Sequence, residues 1–79
     1  MQIVELDIKL PYENRGQVLS RIYEKVRGRI RDLHFFPPTA EGLSEIRMEV
    51  LEEDTSRLLS ELSKVIKNGR VTLRVLSEV

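Results

Sequence analysis

Glu13-Asn14-Arg15-Gly16-Gln17-Val18-Leu19-Ser20-Arg21-Ile22 is where this chain changes its period. Before it, Val4, Leu6, Ile8 and Leu10 alternate with Glu5, Asp7 and Lys9 from Ile3 onward, the pattern of a strand with one buried and one wet face. After it, Val18, Leu19, Ile22 and Val26 fall on one helical stripe flanked by Tyr23, which predicts a helix over Gly16 to Val26. Pro11 ends the strand because it has no N–H for a ladder. Asn14 is placed to cap the first turn. Gly28 stops the helix, after Lys25 and Arg27 at the end where the dipole favours cations.

The remaining chain repeats that plan. Arg29 to Pro37 reads as a second strand, but Ile30 is out of phase with Leu33 and Phe35, so it carries a bulge or starts late. Phe35 is expected in the core and Phe36 on the opposite face. Pro37-Pro38 suits the end of an edge strand, and Thr39 to Gly42 is a short loop. Leu43 to Leu51 alternates again, with Ile46, Met48 and Val50 inward. Asp54 or Thr55 caps a second helix carrying Leu58, Leu59, Leu62, Val65 and Ile66. Asn68-Gly69 ends it. A last strand turns Val71, Leu73 and Val75 inward and Thr72 and Arg74 outward. The order β-α-β-β-α-β predicts a single α+β domain over residues 1–79, a ferredoxin-like sandwich with two helices on one face of four antiparallel strands. Right-handed crossovers give the strand order 4-1-3-2. The wet face of the first strand then lies between Arg47 and Glu49 on one side and Arg74 on the other. Opposite charges on facing strands contribute a few tenths of a kcal/mol per pair. That face is either simply solvated or packed on a second subunit.

Composition narrows the function. A chain of 79 residues buries only about 60–65% of its unfolded surface. Without cysteine it has neither disulfides nor thiolate metal sites. Thirteen basic side chains balance 13 acidic ones, so the basic excess of a nucleic-acid binder is missing. The outward positions of the middle strands carry Glu, Asp and Arg, not the aromatics on which RNA bases stack. No stretch nears the ~20 apolar residues of a membrane span, and the acidic, alternating N-terminus does not fit a signal peptide. A soluble, cytoplasmic protein is expected, with no cofactor and no metal.

The layout resembles the ACT domain, the regulatory module that binds amino acids and controls biosynthetic enzymes. Within that family it is similar to the single-domain form of the small regulatory subunit of acetohydroxyacid synthase. The likeness runs from about Val4 to Leu76. Its most specific piece is Glu13-Asn14, then Gln17-Val18 and Leu19-Ser20-Arg21-Ile22. Arg27-Gly28 followed by Ile30 and Leu33 echoes the family's entry into its second strand, and Leu58 to Val75 its second helix and last strand. Two departures stand out. The family glycine falls opposite Gln17, while this chain's glycine is one place earlier, at Gly16. The family asparagine after Arg-Gly is replaced by Arg29 or Ile30. The resemblance implies effector contacts at Asn14, Arg15, Gly16, Gln17, Val18, Leu19 and Ile30, an amino acid such as valine, leucine or isoleucine as ligand, and a catalytic subunit as partner.

Other residues carry two readings each. His34, the only histidine, and Phe36 are candidates for a subunit interface. Asn14 serves as a cap, as an effector ligand, or as both. Arg27, Arg29 and Arg31 form either a solvated turn or a contact for a carboxylate effector, a catalytic subunit or a nucleic acid. Arg15 and Gly16 also occupy the loop that holds phosphate in small acylphosphatases, with Asn68 as the other asparagine, but that family's glycine-rich signature is absent. The expected function is non-catalytic regulation in branched-chain amino-acid biosynthesis by a homodimer joined through sheet edges or helices. The alternatives are the effector domain of a transcription regulator and, further off, a small hydrolase.

Overall fold

The computed structural model describes residues 1–78. Strand β1 spans Gln2–Pro11, a single 3-10 turn follows at Tyr12–Asn14, and helix α1 spans Arg15–Val26. Strand β2 is Ile30–Phe35, β3 is Leu43–Glu52, helix α2 is Thr55–Val65 and β4 is Arg70–Glu78. The four strands form one antiparallel sheet in the order β2-β3-β1-β4. This is the ferredoxin-like α+β fold, with the strand order expected from right-handed crossovers.

Alternation sets the layers. Val4, Leu6, Ile8 and Leu10 of β1 and Ile46, Met48 and Val50 of β3 are buried, against Val18, Ile22 and Val26 of α1 and Leu58 and Leu62 of α2. Ile66, just past α2, closes the same core. Each such aliphatic side chain contributes about 1.5–3 kcal/mol when taken from water. The charged residues of β1 lie on the other face as expected. Arg74 meets Glu5 at 3.0 Å and Arg47 meets Asp7 at 3.8 Å.

The out-of-phase Ile30 is explained by a bulge. The β2–β3 register shifts between Ile30 and Asp32, so Ile30 stands opposite Val50, Leu33 opposite Met48 and Phe35 opposite Ile46. Skipping Arg31 returns all three side chains to the helix-side face. Strand β2 stops at Phe35, two residues before Pro37.

Phe35 corrects an expectation. It is on the helix side but 64% exposed, not in the core. Alternation assigned its face correctly, but β2 is an edge strand and neither helix covers that corner. The expected cap of α1 also differs: Asn14 holds the N-cap position without a side-chain hydrogen bond. Asp54 does cap α2, accepting from the Arg57 N–H at 3.0 Å. Gly28 takes the left-handed conformation at the end of α1, with φ +83°.

Candidate functional site

Helix α1 lies over the middle of the sheet and leaves the β2 side open. The result is a groove of about 470 Å³ along the flank of α1. Leu19, Ile30, Leu33, Phe35 and Met48 make an apolar floor, and Tyr23 stands beside them. Ser20, Glu24 and Arg27 make a polar rim, and Gly16 lies at the helix start. These α1 positions recur at the three- and four-residue steps that define one face of a helix. Among the described residues neither Glu24 nor Arg27 has an ion-pair partner. An apolar cleft with a few convergent polar groups is the usual form of a small-molecule site. Here a carboxylate and a guanidinium one helical turn apart can bind the two charges of a zwitterion while the floor takes an apolar side chain.

Of the residues singled out by sequence, the groove gathers Gly16, Leu19 and Ile30. Val18 is turned into the core. Asn14 and Gln17 are exposed, and Arg15 stacks on Tyr12, 3.9 Å from the ring centroid. Tyr12 instead helps line a separate open hollow of about 500 Å³ with Pro11, Glu13, Pro38, Glu41, Gly42 and Leu43. Ser20, Tyr23, Glu24, Leu33, Phe35 and Met48 were not foreseen as site residues. The signal for the α1 members was present as the second helical stripe beside the apolar one. The arginine cluster divides: Arg27 faces the groove, while Arg29 pairs with Glu52 and donates to the Lys25 carbonyl.

His34 and Phe36 belong to the opposite, open face of the sheet. His34 stands across from Arg47, whose guanidinium lies 5.1 Å from the Phe36 ring centroid. Two carboxyls there are perturbed. The Leu33 N–H and then His34 hold Asp32 below its ordinary value. A hydrogen bond with Asp7 pushes Glu45 up, assisted by desolvation. Among the described residues no group of three or more His, Cys, Asp or Glu is arranged to hold a metal. No helix among them is long and apolar enough to cross a membrane.

No protein-family model matches this chain, and no curated protein matches it. Solved structures do. An uncharacterized protein from Thermotoga maritima, TM1266, superposes with a TM-score of 0.73 at 18% identity, covering 96% of this chain and 98% of that one. A formyltetrahydrofolate deformylase from Pseudomonas putida KT2440 gives 0.67 at 16% identity over 96% of this chain. The match spans only 29% of the deformylase. A de novo designed protein, Foldit4, gives 0.62 at 22% identity, covering 98% and 97% of the two chains. The likeness is one of fold. It agrees with the ferredoxin-like α+β fold, and the designed neighbour makes plain that the fold alone carries no activity.

Proposed function

We propose that this chain is a non-catalytic regulatory module that binds a small apolar amino acid and acts on a partner enzyme. The observation that carries this is the α1–β2 groove, whose apolar floor is edged by Glu24 and Arg27. Valine, leucine and isoleucine fit that chemistry: an aliphatic side chain on Leu19, Ile30 and Leu33, the ammonium at Glu24 and the carboxylate at Arg27. The resemblance to the small subunit of acetohydroxyacid synthase supplies the partner, a catalytic subunit of branched-chain amino-acid biosynthesis. Regulation would follow from differential binding, and its size is bounded by the ligand's affinity difference between two states of the complex.

Calorimetric titration with the three amino acids tests this. Binding in the micromolar to millimolar range is expected, with Arg27→Ala weakening it about tenfold or more, the loss of one charge-assisted contact. A folded protein that binds none of them overturns the effector reading.

A further inference from the structure

Two turns meet where β1 finishes and β3 begins. Tyr12, in the 3-10 turn after β1, donates its N–H to the Gly42 carbonyl at 2.9 Å. Gly42 in turn donates to the Thr39 carbonyl at 3.0 Å, and Thr39 to the Leu43 carbonyl at 2.8 Å. The Leu43 N–H reaches the Thr39 hydroxyl at 3.2 Å. These bonds hold both turns in one frame around the hollow of about 500 Å³, so little ordering is left to oppose binding there. Pro11, Pro38 and Leu43 give it apolar walls, completed by the Tyr12 ring and the Glu13 and Glu41 carboxylates.

Charge sets this hollow apart. On the open face of the sheet Glu5 and Asp7 meet Arg74 and Arg47. Between α1 and α2, Glu52 and Glu61 meet Arg29 and Arg57. Among the described residues Glu13 and Glu41 have no ion-pair partner, and no cation is a wall of the hollow. Arg15, two residues from Glu13, is engaged elsewhere, with its guanidinium over the Tyr12 ring at 3.9 Å from the centroid. That contact shows that the ring accepts a guanidinium on its face. Tyr12 is still 47% exposed. A chain whose 13 basic and 13 acidic side chains balance thus leaves two carboxylates and an aromatic ring unmatched in one place.

We propose that this hollow receives an arginine side chain of a partner protein, stacked against Tyr12 with Glu13 and Glu41 as its acceptors. Arginine fits better than lysine. A planar guanidinium lies flat on an aromatic ring and forks onto a carboxylate, whereas an ammonium has neither plane nor fork. Tyrosine and arginine are also residue types that anchor protein interfaces, and Pro11, Pro38 and Leu43 supply apolar surface beside the anchor. The site shares no residue with the α1–β2 groove. The inference goes beyond the amino-acid reading, and none of the three amino acids enters its test.

The probe is a blocked tripeptide, acetyl-Gly-Arg-Gly-amide, titrated at low salt into the isotope-labelled protein while amide chemical shifts are followed. Saturable shifts at Tyr12, Glu13, Gly42 and Leu43 are expected in the millimolar range, with Leu19 and Ile30 unmoved. The citrulline peptide, alike in shape but uncharged, should bind about tenfold or more weakly. Glu13→Gln with Glu41→Gln changes two exposed side chains, so circular dichroism should be unchanged while the arginine peptide loses a similar factor. Tyr12→Leu keeps apolar bulk but removes the ring; made beside Arg15→Gln, so that no freed arginine competes, it should weaken binding severalfold against Arg15→Gln alone. Three results each overturn the proposal: no saturable shift at these amides, a citrulline peptide that binds as well, or affinity unchanged by the glutamine pair or by loss of the ring.

Discussion

The Glu52 carboxylate fastens the end of β3 to the start of β2. One oxygen pairs with Arg29, and the other accepts the N–H groups of Glu53 at 3.0 Å and Asp54 at 3.1 Å. Glu52→Ala leaves a cation and two backbone donors without that partner, and should cost about 2–3 kcal/mol in urea unfolding. Gly69 shows the opposite kind of constraint, a lack of room. A Cβ there would sit 2.1 Å from the Lys9 carbonyl oxygen, so Gly69→Ala should cost on the order of 2–3 kcal/mol, the upper end of ordinary substitutions. Protonation separates two further residues. Asp32, held low, contributes stability that is present above its ordinary value and lost as pH falls through its lowered one. Glu45, pushed up, behaves in reverse: its contribution is present below its ordinary value and lost as pH rises through the raised one. At neutral pH Asp32→Asn should therefore destabilise and Glu45→Gln should stabilise. In melts taken to progressively lower pH the Glu45 difference should disappear first, as its raised carboxyl is protonated, and the Asp32 difference last, as its lowered one follows.

At the scale of elements, the two helices are anchored differently. Helix α2 has a side-chain cap and an ion pair from Arg57 to Glu61 one turn on, and Ile66 donates its N–H to the Leu62 carbonyl at its far end. Helix α1 has no side-chain cap and depends on Val18, Ile22 and Val26 in the core. Asp54→Ala should cost about 1 kcal/mol, whereas Asn14→Ala should be close to neutral; thermal melts of the two variants compare them directly. The exposed start of α1 is also what leaves Gly16 beside the groove.

For the whole molecule, the sheet grades from a central pair to two edges. Strands β1 and β3 pair over ten residues each and hold the sheet's fully buried side chains. Every residue of β2 after Ile30 is exposed. Hydrogen exchange should follow this order, slowest in β1 and β3 and fastest in β2.

What the sequence determined by itself was the order of elements and the sidedness of each. Period-two runs at Val4–Leu10 and Ile46–Val50 and the helical stripe at Val18–Val26 are local properties of spacing, and the chain cannot satisfy them on another face. The phase slip at Ile30 was legible too, as one of two irregularities. Coverage was not. Phe35 has the alternation of a core residue, yet no helix reaches the edge of the sheet where it sits. The same absence of cover opens the groove among Leu19, Ile30, Leu33 and Met48. It also leaves Leu33 exposed on the floor of that groove. Spacing fixes which face a side chain takes, but only the packing of α1 and α2 across the sheet decides which of those faces are buried and which remain open.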